Sequence, residues 1–216
     1  MAKPVVKVVK LPRLKKNHKV LFLAGLMLFS VLISVINSGE DPITAPIDEP
    51  DYIGSWKGFK IFEENTSINT SIYYLELQPG YSILMRADPR EAEAVESPSS
   101  PSIYANIYSS STVFLLFDPI DEGEVGIAYA EMAKFLAGRP FEYVFATTEP
   151  YTDEANRTYP FKAPFNTTDD ETVIFMRIAN DTKIEMENRT ITITGEDMWD
   201  LATAAAKVQL IMLRIM

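Results

Sequence analysis

The chain has 216 residues, a formal net charge of -10, a single histidine (His18) and no cysteine. These counts exclude thiol nucleophiles, disulfides, zinc sites built from cysteine or several histidines, and histidine-based catalytic triads. The charge is unevenly divided, because residues 1–36 carry seven basic side chains and no acidic one. The other 13 basic and all 30 acidic side chains leave residues 37–216 at -17. A basic beginning therefore precedes a strongly acidic remainder.

Residues 20–36 form an uncharged apolar run, VLFLAGLMLFSVLISVI. As a helix this run would span roughly 26 Å, close to the ~30 Å hydrocarbon core of a bilayer. Because basic flanks are retained on the cytoplasmic side, we expect a single-pass anchor in the cell membrane, with residues 1–19 as a cytoplasmic tail and everything after Ile36 outside. The alternative is a cleaved signal peptide, but the run exceeds the usual apolar region and lacks a clear small-x-small cleavage site.

The basic tail has a sufficient explanation as a topology signal. Anionic lipid or nucleic acid are the other partners that a basic segment could bind. A topology signal requires neither, so we expect the lipid bilayer as a partner and no nucleic acid.

Six of the eight asparagines after Ile36 begin an Asn-x-Ser/Thr triplet without proline, which is the acceptor sequence for N-glycosylation. They are Asn65, Asn69, Asn156, Asn166, Asn180 and Asn188. Since serine and threonine make up 30 of the 216 residues, eight asparagines would by chance give about one such triplet. We therefore predict an exported glycoprotein. Many acceptors without any cysteine, in an oxidising compartment, favour an archaeal cell surface.

The exported part divides into a stalk and one domain. Residues 37–54 contain three prolines among acidic side chains, which is typical of an extended spacer. Residues 55–216 are enough for a single domain with its own core. The expected organisation is therefore tail, anchor, stalk and an exported α+β domain.

Hydrophobic patterns predict a mixed sheet within that domain. Residues 72–86 are typical of a hairpin around a Pro-Gly pair, where glycine supplies the positive φ of a type II turn. Residues 112–147 predict a β-α-β unit, with a continuously apolar strand, an amphipathic helix and a second strand. Residues 88–102 are acidic and rich in proline and serine, so we expect a mobile surface loop there.

Three short strands and a helix complete the prediction. The strands cover residues 172–178, 183–187 and 190–194. In the last of them threonine and isoleucine alternate, which predicts one packed and one exposed face. A C-terminal helix from about Glu196 is apolar nearly all round at its end and must be deeply buried. This order of elements resembles the thioredoxin-like topology over about half of the chain, which implies no activity.

The densest acidic cluster follows the apolar strand at residues 112–117. Asp118, Asp121 and Glu124 would lie at the carboxyl end of that strand, the edge where open α/β sheets bind ligands. Carboxylates beside a glycine are suitable ligands for Ca²⁺, although the spacing is not that of an EF-hand loop. The alternative is that Asp118 or Asp121 caps the following helix. These three residues are the metal-site candidates, and no other cofactor is expected.

No catalytic constellation can be identified. The Asp-Thr/Ser-Gly motif of aspartic proteases is absent, and spacing does not single out two carboxylates for glycoside hydrolysis. Trp56, Tyr73, Tyr74 and Trp199 would line either a sugar-binding face or, as aromatics more often do, a core. We therefore expect a non-catalytic binding or structural role in the cell envelope, with another envelope or membrane protein as partner. The alternative is a carboxylate-based or Ca²⁺-dependent hydrolase acting on surface polymers.

Overall fold

The structure is a computed structural model that describes residues 50–66, 70–153 and 156–216. These residues belong to the compact unit Asp48–Met216 and form an α+β domain, as predicted. The predicted tail, anchor and most of the stalk lie outside the described residues. Within the described part of the chain, no helix is both long and apolar enough to cross a membrane.

The first sheet is antiparallel, with four strands in chain order. They are β1 (Asp51–Trp56), β2 (Phe59–Asn65), β3 (Ser71–Gln78) and β4 (Tyr81–Met85). The predicted hairpin is confirmed, because β3 pairs with β4 and Gly80 in the turn has a φ of 78°. Strand β1 begins inside the segment that the sequence assigns to the stalk, so residues 51–54 belong to the sheet.

Two helices occupy the segment for which a loop is predicted. They are α1 (Pro89–Ala94) and α2 (Ser100–Tyr108). The prediction of a mobile loop at residues 88–102 is wrong, because the same residues that suggest a loop also start helices. Asp88 accepts a hydrogen bond from the backbone N–H of Arg90, and each helix has proline in its first turn, where a missing N–H costs nothing. Ile103 and Ile107 then bury the apolar face of α2.

The second sheet is mixed and has five strands. They are β5 (Thr112–Phe117), β6 (Glu142–Thr147), β9 (Glu171–Ile178), β10 (Lys183–Glu187) and β11 (Thr190–Gly195). Their spatial order is β10-β11-β9-β5-β6, with β10 as the antiparallel edge strand and the other four parallel. Helix α3 (Glu122–Leu136) joins β5 to β6, which confirms the β-α-β unit. A small hairpin of β7 (Tyr151–Thr152) and β8 (Thr158–Tyr159) follows β6.

The C-terminal helix α4 (Met198–Met212) contributes to the cores of both sheets. It begins at Asp197, whose carboxylate accepts hydrogen bonds from the N–H groups of Trp199 and Asp200 at 2.7 and 2.9 Å. Leu201 packs with side chains of the second sheet, whereas Leu210 packs with those of the first. Eleven of its fifteen residues are buried, so the predicted deep burial is confirmed.

Strand β11 is buried on both faces, which contradicts the predicted exposed face. Its isoleucines pack with the helices, as expected, but its three threonines are buried as well. The cause is not local to the strand. Because β11 lies between β9 and β10, its backbone is paired on both sides, and Thr190 donates its hydroxyl to the carbonyl of Pro164 in the loop before β9.

Candidate functional site

The predicted glycosylation acceptors that the structure describes are all exposed. Asn65 ends β2, Asn156 lies between β7 and β8, Asn166 precedes β9, Asn180 follows β9, and Asn188 lies in the turn from β10 to β11. The sixth acceptor, Asn69, is outside the described residues. N-glycosylation needs an accessible amide, and each of the five positions provides one.

Two of these asparagines have a structural reason to be asparagine. Asn156 has a φ of 58° and Asn188 a φ of 53°, both in the left-handed region that asparagine tolerates better than most residues. Asn65, Asn166 and Asn180 are not in that region. Turn geometry therefore explains two of the described acceptors and leaves the other three without a backbone explanation.

Asp153 fixes the turn that carries Asn156. Its carboxylate accepts hydrogen bonds from the backbone N–H of Arg157 at 2.8 Å and from the Arg157 guanidinium at 2.6 Å. The backbone N–H of Asn156 donates to the Asp153 carbonyl at 2.9 Å. The bonds from Arg157, that of its backbone N–H first, hold the pKa of Asp153 below its usual range. The acceptor is therefore presented on an ordered turn.

The three candidate metal ligands have separate surroundings. Asp118 accepts a hydrogen bond from the backbone N–H of Ile120, inside the 3₁₀ turn that precedes α3. Asp121 accepts one from the backbone N–H of Ile178 at 3.3 Å, and Glu124 is exposed. Among the described residues, no three histidine, cysteine, aspartate or glutamate side chains are arranged to hold a metal ion. Both aspartates thus bond to the backbone, and Asp121 is the N-cap residue of α3, although its side chain makes no capping hydrogen bond there.

The carboxyl edge between β5 and β9 is the topological switch point of the second sheet. The chain leaves β5 through α3 towards β6, and it leaves β9 in the other direction, towards β10 and β11. Open sheets bind ligands at such points. Here the carboxylate of Asp121 accepts a hydrogen bond from β9. The ring of Phe117 packs against the rings of Tyr129 and Tyr159, with 5.0 and 5.9 Å between the ring centres. Packed aromatic rings and a structural carboxylate therefore form this edge.

Tyr129 illustrates how closed that region is. Its hydroxyl donates to the carbonyl of Leu115 at 3.0 Å, and burial raises its pKa far above the ordinary value. A phenol held neutral in this way is a structural group, so it offers no acid or base near neutral pH.

The four aromatic residues considered for a sugar-binding face do not share one surface. Trp56 is in the core of the first sheet and donates its indole N–H to Glu93 at 2.6 Å. Tyr73 and Trp199 line one shallow depression of about 320 Å³, which Arg86 and Glu91 also line. Only half of the predicted set therefore comes together.

A row of apolar side chains crosses the outer face of the first sheet. Cross-strand pairing aligns Tyr52, Phe62, Tyr74 and Leu84, one from each strand, and we call them the apolar row. Tyr52 is 59% and Leu84 42% exposed, and no member belongs to a core cluster of the described residues. The adjacent residues of the same strands, whose side chains point to the other face of the sheet, include Ile61 and Leu75, and both are fully buried.

The sequence contains a signal for the apolar row. In β2 and β3, neighbouring positions are both apolar, which indicates side chains of the same kind on both faces of the strand. Such runs usually mean that both faces are covered. The sequence therefore reveals the apolar residues but not that one face of this sheet remains open.

A second open patch lies on the threonine face of the second sheet. A groove of about 410 Å³ runs there, and its lining includes Phe165, Phe175 and Arg177. The guanidinium of Arg177 is 5.7 Å from the ring centre of Phe175, and Phe165 is 55% exposed. This groove combines an aromatic wall with charged side chains.

No family model, no curated protein and no solved structure matches this chain. The resemblance to thioredoxin-like topology therefore remains a prediction about element order.

Proposed function

We propose that this chain is a single-pass, N-glycosylated membrane protein with a cytoplasmic N-terminus, whose extracytoplasmic domain has a non-catalytic binding or structural role in the cell envelope. One observation carries the proposal. All six acceptor sequences follow an apolar run with a basic flank, and the five that are described present exposed asparagines.

The charge distribution supports the orientation. Seven basic and no acidic side chains lie in residues 1–36, and basic residues close to a membrane segment favour the cytoplasmic side. The acidic remainder then lies outside, together with every acceptor. Of the five acceptors that the structure describes, three have no backbone reason to be asparagine, which supports selection for modification.

The apolar row supports a binding role. Contiguous exposed apolar side chains rimmed by polar ones are typical of protein interaction sites, and aromatic residues are enriched there. The rim here includes the ion pair of Lys60 with Glu76, at 3.0 Å, and the hydrogen bond from the Tyr74 hydroxyl to Glu64, at 2.5 Å. We infer that another membrane protein of the envelope contacts this face.

The hydrolase alternative gains no support from the geometry. Asp118 and Asp121 both accept backbone hydrogen bonds, which is a sufficient role for each of them. That hypothesis therefore depends on the composition of the acidic cluster alone.

Anchoring and glycosylation are tested on protein isolated from membranes of the native host. Site-resolved mass spectrometry should find a glycan mass on several of the six asparagines and should recover peptides from residues 1–19, which a cleaved signal would lack. Unmodified asparagines at all six positions would overturn the glycosylation part. A mature N-terminus after residue 36 would overturn the anchor.

The binding role is tested by photo-crosslinking in native membranes. A photoreactive residue at Leu84 should give a discrete adduct with another membrane protein. The same residue at Glu142, an exposed position on β6 at the edge of the second sheet, is the control. Equal adducts from both positions, or none from Leu84, would contradict a contact at this face.

A further inference from the structure

The acceptor sequences differ in access to their hydroxyl residue. The threonines two positions after Asn156 and Asn166, which are Thr158 and Thr168, are exposed. Thr190, the third residue of the Asn188 triplet, is fully buried. The sequence motif requires this hydroxyl, so a transferase must contact it when it modifies the asparagine. The folded domain hides that part of the Asn188 sequence.

Thr190 is also held by the sheet on both sides. It is the first residue of β11, where it pairs with Val173 of β9 and with Glu187 of β10. Its side chain donates a hydrogen bond to the carbonyl of Pro164. Binding of this residue in an enzyme would require the end of the sheet to open.

The other two residues of the triplet are fixed as well. The Arg189 Nε donates to the carbonyl of Glu171 at 2.6 Å, and its guanidinium also donates to the hydroxyl of Ser110 at 2.6 Å. The carbonyl of Asn188 accepts a hydrogen bond from the Asn106 amide at 3.1 Å. The Asn188 side chain is exposed, but the backbone and neighbours that a transferase must bind are built into the fold.

The triplet at Asn156 is the matched contrast. It also lies in a hairpin turn with a left-handed asparagine, but the side chain of Arg157 is 70% exposed and Thr158 lies on the surface. Both acceptors are therefore left-handed residues in hairpin loops, and they differ in the burial of the residues that follow them.

We propose that Asn188 can be glycosylated only before this domain folds, whereas Asn156 remains a substrate afterwards. This inference rests on the proposed glycosylation. In the transfer, the asparagine amide nitrogen bonds to C1 of a saccharide, the bond from C1 to the phosphate of a polyprenyl carrier breaks, the lipid phosphate leaves, and the amide loses a proton. A glycan at Asn188 would thus record modification during export.

The test compares acceptance by the folded full chain with acceptance by peptides. Full chain made in cells without N-glycosylation is purified in detergent and incubated with native-host membranes that supply the transferase and its lipid-linked saccharide. Peptides of residues 150–162 and 182–194 are incubated in parallel, and mass spectrometry gives the rate at each asparagine. The glycosylation rate of each asparagine in the folded chain is divided by the rate of the matching peptide. We expect this normalised rate to be more than about tenfold lower at Asn188 than at Asn156, because a site inside the sheet reacts only when the sheet opens, which is rare.

A destabilised full chain separates burial from local sequence. A Cβ at Gly195 would lie 2.2 Å from the backbone nitrogen of Leu201, so Gly195→Ala disrupts β11 without changing any acceptor sequence. This variant should raise the Asn188 rate to that of Asn156. Equal normalised rates at both asparagines in the folded wild-type chain would overturn the inference alone. If neither peptide is modified, the proposed glycosylation fails and the inference fails with it.

Discussion

Asn188 combines two requirements in one side chain, a left-handed backbone and an amide that is exposed for modification. Experiments that remove the acceptor therefore have to preserve the turn. Glycine adopts a φ of 53° without strain, whereas a β-branched residue does not. The choice of substitution decides whether a phenotype reports on the glycan or on the fold.

We expect Asn188→Gly to change the free energy of unfolding of a soluble fragment, residues 48–216, by less than about 0.5 kcal/mol, and Asn188→Val to lower it by about 1–2 kcal/mol. Asn166, which is not left-handed, is the control position, and valine there should be nearly neutral. Urea unfolding measures all three. Equal values for glycine and valine at Asn188 would contradict the turn argument.

Two glycines should respond to alanine with opposite signs. Gly126 lies within α3 with open space around it, so Gly126→Ala should stabilise the domain by about 0.5–1 kcal/mol through helix propensity. Gly195 packs against the backbone at the start of α4, so Gly195→Ala should destabilise by more than about 3 kcal/mol. Thermal unfolding of the fragment measures both. A stable Gly195→Ala variant would show that α4 can move away from β11.

Lys207 should make stability depend on pH in the alkaline range. It is 9% exposed on α4, and its ammonium donates to the carbonyls of Glu93 and Val95 at the end of α1. Burial lowers its pKa, so at a pH between the folded and unfolded values the unfolded chain binds more protons. The neutral amine still has two N–H donors for its two carbonyls, so deprotonation keeps both bonds.

The free energy of unfolding of the wild type should therefore rise relative to Lys207→Met as pH increases through the alkaline range towards the unfolded pKa of lysine, about 10.4. Denaturant unfolding at several pH values gives the difference, in which titrating groups that do not interact with Lys207 cancel. Parallel pH profiles for the two proteins would contradict a lowered pKa at this position.

At the scale of elements, the sequence predicts what is decided by local pattern. The hairpin, the β-α-β unit and the terminal helix all have long apolar patterns and clear ends, and all three are confirmed. Helices α1 and α2 are missed because Asp-Pro and Ser-Pro-Ser are compatible with both a loop and a helix start. The apolar residues of α2, Ile103 and Ile107, contain the deciding signal, but both lie beyond the end of the predicted loop.

The errors about sheet faces have a different origin. The threonine face of β11 is covered at Thr190 by a loop some twenty-five residues earlier in the chain, through Pro164, whereas the apolar row is left uncovered. Alternation reports the composition of the two faces of a strand, but not what packs on them. The acceptor sequences, in contrast, can be identified completely because the motif is contiguous, although their accessibility cannot.

The carboxyl edge of β5 yields a prediction against the metal hypothesis. Since Asp118 and Asp121 already accept backbone hydrogen bonds, Ca²⁺ at millimolar concentration should leave the melting temperature of the fragment unchanged. Asp121→Ala should lower stability by about 1 kcal/mol, with or without Ca²⁺, because the N–H of Ile178 loses its partner. A rise in melting temperature with Ca²⁺ that Asp121→Ala abolishes would restore the metal site.

At the scale of the whole molecule, the domain is held together by burial without covalent links. Helix α4 packs in the cores of both sheets, and the chain has no cysteine with which to form a disulfide. The same domain carries most of the -17 charge of residues 37–216. The negative charges of a compact acidic domain repel one another, and this repulsion opposes folding unless salt screens it.

Salt should therefore stabilise the fragment. Between about 10 and 150 mM NaCl the Debye length falls from ~30 to ~8 Å, which removes most long-range repulsion. We expect the melting temperature to rise by about 2–4 °C, equivalent to roughly 1 kcal/mol for a domain of this size, and to level off. An equal osmolality of glycerol is the uncharged control. Exposed ion pairs such as Lys60–Glu76 are weakened by the same salt, but each is worth less than about 1 kcal/mol, so net repulsion should dominate. A falling melting temperature over this range would mean that the ion pairs outweigh the net charge.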